Sequence, residues 1–238
     1  EGAQIVLLAG FSSTPIAEAA AQSLETFSVV EEFESSDYLD IWREFATIYR
    51  AGNRVVIRPP WVHYEPEASE LVVGIDPERS FGSGSHPSTR LALAELEQLL
   101  EGNESVLDVG CGSGILSVAA ARLGATRVLG IDIDPTAIEV TTRNANLNGV
   151  AELVTAEAIP IEAADGAYDV VISNMLASLL SSYGSNFVTM VRPGRRLVLS
   201  GLLSSQVDQV VDNCAPLRLL TTRHCEPGEG DWVSVTLG

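Results

Sequence analysis

The chain has 238 residues, 46% of them hydrophobic, and a formal net charge of −18; this suffices for one α/β domain with a sizeable core and a small accessory piece. All 14 basic residues are arginine, so the negative field disfavours direct DNA or RNA binding and leaves a basic protein as a compatible partner. No run approaches about 18 consecutive apolar residues, and neither the cysteines (Cys111, Cys214, Cys225) nor the histidines (His63, His86, His224) have metal-ligand spacing, so no membrane span and no metal site are expected, and a reducing cytoplasm is.

In chain order, "QIVLLAG" (4–10) reads as a buried strand and not a signal peptide, because no basic segment precedes it. "TPIAEAAAQSLE" (14–25) reads as a helix capped by Thr14, with Pro15 at its first position. "FSVVEEFE" (27–34) is a second strand. This βαβ-like piece, residues 1–36, is too small to be a robust domain alone. Residues 37–72 form a connector. "SSDYLDIWREFATIYRAGN" (35–53) sets Leu39, Trp42, Phe45 and Tyr49 at helical spacing, and Trp42 and Trp61 are expected in the core. "RVVIRPPW" and "SELVVGIDP" read as short strands around a proline-rich turn.

Residues 73–238 alternate regularly. A helix over 87–100 leads to the strand "SVLDVG", the helix "GILSVAAARLG" ended by Gly124, the strand "RVLGIDID" and the helix "PTAIEVTTRNANLNG". "AELVTAEA" and "YDVVISNML" are further strands. "LASLLSSYGSNFVTMV" is largely helical, "RRLVLSGLL" a strand and "SSQVDQVVDNCA" a helix. The last 22 residues close as two strands around a glycine-rich turn. Strands alternating with helices predict a doubly wound, mostly parallel α/β sheet with one antiparallel strand at the end.

The segment "VLDVGCGSGILSVAAARLGATRVLGIDID" carries the most chemical information. Gly110, Gly112 and Gly114 let the backbone turn tightly into a helix and pass close to a ligand. Asp132 closes the next strand, where a carboxylate accepts hydrogen bonds from both ribose hydroxyls, with Ile133 beside it. A dinucleotide site would place a third glycine at Ile115. Asp108, two residues before the first glycine, instead suits a cationic, phosphate-free ligand and faces the amino group of a methionine moiety. S-adenosylmethionine (SAM) is therefore preferred over a nicotinamide dinucleotide or a purely structural turn.

Asn174 falls at the carboxyl edge of the predicted sheet, where its carbonyl can orient a substrate amine. Glu157 follows the third repeat strand and could meet the adenine amino group or stand as a solvated acid. Asp134 caps the helix at Pro135. Cys111 is a small residue that fits its loop. "SFGSGSHPSTRLAL" (80–93) lacks the lysine of a P-loop, and Ser85 is its expected helix cap.

At these residues the chain resembles the ribosomal protein L11 methyltransferases. The resemblance covers roughly residues 37–238 and is carried by "YLDIWREF", "DPERSFGSGSHPSTRLAL", the glycine-loop segment, "GIDIDPTAIEVTTRNANLNGV", "VVISNMLA" and "PGRRLVLSGLL". Ser83 and Ser88 stand where the family usually has threonine. The resemblance implies a class I, Rossmann-like methyltransferase domain with a seven-stranded sheet. Its cofactor is SAM, with S-adenosylhomocysteine as product. The resemblance implies cofactor contacts for Thr89, Gly110, Asp132 and Asn174; Asp108, Gly112, Gly114, Ile133 and Glu157 join them from the loop and strand reading above, and Phe81 and Gly82 from the lid. Asn174 and His86 are the catalytic candidates, Phe81 to His86 form a lid, and the substrate is the lysine side chains or N-terminal amine of L11. Residues 1–35 resemble only the last β-α-β half of the family's ferredoxin-like N-terminal domain. Another protein lysine, a small amine, or a non-catalytic SAM-binding role are the rival expectations.

Overall fold

The computed structural model describes residues 47–77 and 82–238. The N-terminal βαβ piece, most of the connector helix and Phe81 lie outside the described residues. Residues 46–238 form one compact unit and residues 1–45 another.

The large unit opens with β1 (Tyr49–Ala51), β2 (Val55–Arg58) and β3 (Leu71–Gly74). β1 and β2 are antiparallel and β2 and β3 parallel. Tyr49 was expected at the end of the connector helix; it begins a strand instead. The reason is tertiary. Gly52 takes a left-handed turn (φ 60°), and the Glu97 carboxylate accepts the backbone N–H groups of Asn53 (2.6 Å) and Arg54 (3.1 Å), which fixes a hairpin that helical spacing cannot foretell. Trp61, expected in the core, is 39% exposed on the loop between β2 and β3.

Next come α1 (Pro87–Leu99), β4 (Ser105–Val109), α2 (Ile115–Arg122), β5 (Arg127–Asp132), α3 (Pro135–Leu147), β6 (Val154–Ala158) and β7 (Tyr168–Asn174). The expected single helix after β7 is two, α4 (Ala177–Ser182) and α5 (Gly184–Met190), followed by β8 (Val191–Leu203), α6 (Val207–Asn213), β9 (Leu219–His224) and β10 (Trp232–Leu237). A Cβ on Gly184 would overlap the Asn213 carbonyl, so the glycine at the joint lets the chain touch the end of α6.

The seven-stranded sheet runs β6-β5-β4-β7-β8-β10-β9. β4 to β8 are parallel, and β10 is antiparallel to both its neighbours. The antiparallel strand is last in the chain but lies one place in from the sheet edge. Alternation along each strand splits the core in two. Val106, Val170, Ile172 and Val198 meet α1, α2, α3 and the small sheet. Leu107, Val109, Val171, Leu197 and Leu199 meet α4, α5 and α6 around Phe187. β3 leaves an open edge that α3 covers. Asn148 donates to the Gly74 carbonyl (2.7 Å) and accepts its N–H (2.8 Å), so an amide side chain replaces a neighbouring strand.

At the opposite, amino edge, Asp169 is almost buried among Ser105, Arg192 (2.7 Å) and Arg195 (3.1 Å). Burial pushes its carboxyl up, but the Ser105 N–H and hydroxyl and the Arg192 guanidinium outweigh that and hold it at about 2. Its folded value is below the usual carboxylate range, so it stabilises the fold above about pH 4, and that contribution is lost between about pH 4 and 2. Asp169→Asn should lower stability at neutral pH and flatten the acid limb of the urea-unfolding profile in that window. Gly184→Ala should destabilise the protein by about 1–3 kcal/mol in the same assay, although alanine favours helix, because the added methyl meets backbone.

Candidate active site

The strand order reverses between β4 and β7, and the chain leaves β4 through Gly110–Gly114 at this switch point. Gly110, Gly112 and Gly114 all have positive φ (77°, 53° and 77°). A Cβ on Gly114, the residue that starts α2, would stand 2.8 Å from Thr141 side-chain atoms and 2.9 Å from its Cα. The loop therefore lies against α3 as closely as backbone allows.

The neighbours impose the loop's shape. Ile131 accepts the N–H groups of Gly110 (2.8 Å) and Cys111 (3.0 Å). Asp132 Oδ2 accepts Gly112 N–H at 3.0 Å, and Oδ1 accepts Asp134 N–H at 3.0 Å. Thr141 donates to the Gly112 carbonyl and Asn144 to the Ser113 carbonyl. Asn144 also exchanges hydrogen bonds with Asp76, linking the loop to the segment after β3. Asp134 caps α3, as expected, by accepting Thr136 N–H at 2.9 Å. Cys111 is buried and burial pushes its thiol up, so it is not a nucleophile.

Asp108 is fully buried in mid-strand, on the α2 side of the sheet. Its Oδ2 accepts the Ser117 hydroxyl at 2.6 Å, and its Oδ1 has no hydrogen-bond partner among the described residues. Burial pushes its carboxyl up to about 7, with Asp132 adding to the rise against the Ser117 hydrogen bonds. Beyond Asp132, Ile133 is 80% exposed, an apolar side chain left open at the carboxyl edge. Glu157 was expected after its strand; it lies within β6, opposite Ile131, and is exposed.

The second half of the site comes from α1 and β7. Asn174 ends β7, and its amide donates to the Thr89 hydroxyl at 3.1 Å. These residues are 85 apart in sequence. The Ser200 hydroxyl donates to the Ser88 carbonyl (2.8 Å), anchoring this first turn of α1 to β8. His86, not Ser85, caps α1: its Nδ1 accepts Ser88 N–H at 3.2 Å and lies 2.7 Å from the Ser88 hydroxyl. Serine competes well as a cap, but His86 adjoins Pro87, and its ring packs edge-on against Trp232 at 4.5 Å. Burial and the nearby Arg90 depress its basicity. Gly82 accepts the Ser113 hydroxyl (2.7 Å), and Gly84 is buried against Ile57 and Ile115. Phe81 lies outside the described residues.

The structure thus brings Gly82, Asp108, Gly110, Gly112, Gly114 and Asp132 to one side of the switch point, and Thr89 and Asn174 to the other. Sequence reasoning missed Ser113, Thr141, Asn144 and Ser200. A signal existed for Asn144: it lies inside a helical stretch, where asparagine is a poor helix former, and asparagine recurs four residues on at Asn148, the C-cap. The serines and the threonine carried none. Among the described residues no cluster of His, Cys, Asp or Glu could hold a metal ion.

A model of the ribosomal protein L11 methyltransferase family (PrmA) matches residues 12–237, extending into the segment before residue 37. A ribosomal protein L11 methyltransferase from Syntrophotalea carbinolica is 43% identical over 186 residues, 77% of this chain and 61% of the relative. One from Geobacter metallireducens is 42% identical, covering 85% of this chain and 66% of the relative. The chain therefore spans less than two thirds of both relatives. The crystal structure of a ribosomal protein L11 methylase from Lactobacillus delbrueckii subsp. bulgaricus superposes with a TM-score of 0.74 at 26% identity, covering 80% of this chain and 97% of that one.

The Thr89–Asn174 bond joins the two halves. Thr89→Val keeps the shape, removes the acceptor and should cost about 1 kcal/mol in urea unfolding.

Proposed function

The chain belongs to the ribosomal protein L11 methyltransferase family, and from that premise we propose that it is a cytoplasmic, SAM-dependent N-methyltransferase that methylates lysine side chains or the N-terminal amine of L11. The observation that carries the reading is the meeting of the glycine loop and Asp132 with the Thr89–Asn174 pair at one switch point. The residues present fit such a cofactor. The loop's glycines present backbone rather than side chains, Asp132 offers acceptor oxygens, Ile133 offers an exposed apolar side chain, and Asp108 carries a buried oxygen with no partner among the described residues.

In this reading Asp132 holds the ribose hydroxyls, Ile133 and Glu157 flank the adenine, and Asp108 serves the methionine end. Bound SAM supplies a methyl group on a sulfonium, which is already a good leaving group. The protein's contribution is positioning. The Asn174 amide is committed as a donor to Thr89, so its carbonyl oxygen is left to accept an N–H from an uncharged substrate amine. That contact would aim the nitrogen lone pair toward the methyl group. His86 fixes the first turn of α1 and thereby Thr89. The negative net charge favours encounter with a basic protein.

Purified L11 incubated with the enzyme and SAM should gain methyl groups by intact-mass analysis. Unmodified L11, alongside a labelled small amine or other protein, would overturn the assignment of substrate. Asn174→Ala should lower turnover by about 100-fold while changing SAM affinity much less; unchanged turnover would remove the role given to Asn174.

A further inference from the structure

Asp108 poses a problem that the cofactor reading does not resolve by itself. A carboxylate wholly removed from water is costly unless it is paired and hydrogen-bonded. Among the described residues Asp108 has one partner residue, Ser117 from α2, whose hydroxyl and backbone N–H both favour the charged form, and an orphan Oδ1. Its strand neighbours in register are Gly130 on β5 and Ile172 on β7, which carry no charge. The ionisable groups acting on it are Asp132, at the end of β5, and the Cys111 thiol. From α3, Thr141 reaches only Cys111 (3.5 Å) and the Gly112 carbonyl. In the first turn of α1, Arg90 is paired with Glu229, and the capping His86 with the backbone of Ser88. Among the described residues no cation offsets the charge of Asp108. Burial accordingly holds its carboxyl near neutrality, at about 7.

We propose that Asp108 is a neutral acid in the cofactor-free protein and becomes a carboxylate when the ammonium group of the cofactor binds, so that binding releases one proton. The inference rests on the SAM reading above and concerns how that site takes up its ligand. The balance is simple. The O–H bond of Asp108 breaks, its proton passes to a buffer base, and the carboxylate gains a cationic partner. The ligand's amine needs no proton of its own, since an α-amino group stays charged below about pH 7.7.

The sign of the effect follows. Below about pH 7 the free protein holds the proton and binding must expel it, so affinity rises with pH. Above about pH 7 the free protein has already lost it and the dependence levels off. The unliganded fold shows the opposite trend. A raised carboxyl stabilises the native state only while protonated, so its contribution is full at about pH 4 and is lost as pH rises through about 7.

Isothermal calorimetry of S-adenosylhomocysteine binding to the full chain tests this. The titration is run at about pH 6 in two buffers of different ionisation enthalpy. S-adenosylhomocysteine keeps the ammonium and lacks the sulfonium. We expect close to one proton released per ligand at about pH 6, and clearly less at about pH 7.5. Binding without proton release at the lower pH overturns the inference and leaves the cofactor reading intact; no binding in either buffer overturns both. Asp108→Asn should bind S-adenosylhomocysteine at least about tenfold more weakly, release no proton and melt higher than the wild type at about pH 8. The same proton release from this variant would also overturn the inference. If the variant does not fold, the wild-type proton count decides alone.

Discussion

The loop Gly110–Gly114 has almost no side chains of its own, and the site depends on how its backbone is held. Glycine loses more freedom on folding than any other residue, so such a loop keeps one shape only where outside groups dictate it. Here they come from three directions. The end of β5 supplies the Ile131 carbonyl and the Asp132 carboxylate, α3 supplies Thr141 and Asn144, and Gly82 is tied on by Ser113. One oxygen of Asp132 organises the loop and the other the turn into α3. The residue read as a ligand acceptor is thus also part of the frame.

Across the switch point the same economy appears in α1. Its first turn is anchored by the His86 cap, the Ser200–Ser88 bond and the Arg90–Glu229 pair. Further along, Glu95 binds Arg223 and Thr236, and Glu97 holds the β1–β2 hairpin. The helix is fastened at both ends to elements distant in sequence. Thr89 therefore meets Asn174 by construction, and the Asn174 amide has a defined orientation, with its carbonyl on offer.

How much of this could be read from the residues depends on the range of the interaction. The glycine loop and Asp132 were legible because strand, tight turn, helix and following acid all sit within one short segment. Asp134 as a cap was legible for the same reason. Tyr49 was not, because its hairpin is set by Glu97, 44 residues from Asn53. The cap of α1 went to His86 and not Ser85 partly because Trp232 packs on its ring. The break between α4 and α5 reflects contact with the end of α6, which no local propensity encodes. Asn174 was read from its place at the carboxyl edge and Thr89 was named through family resemblance; only the fold puts them in contact. The buried, half-satisfied state of Asp108 was also invisible, since the sequence marks an acid before the first glycine but not how completely water is kept from it.

The position of β10 has a consequence for how the protein is made. Among the described residues β9 joins the sheet only through β10, and β10 slots between β8 and β9. During synthesis β8 must wait with a bare edge while α6 and β9 emerge, and β9 has nothing to pair with until its successor arrives. The strands that frame the glycine loop are complete long before then. The far half of the sheet is sealed by the strand that follows β9 in the chain, and until that moment an unpaired edge is exposed to any other chain that could add a strand.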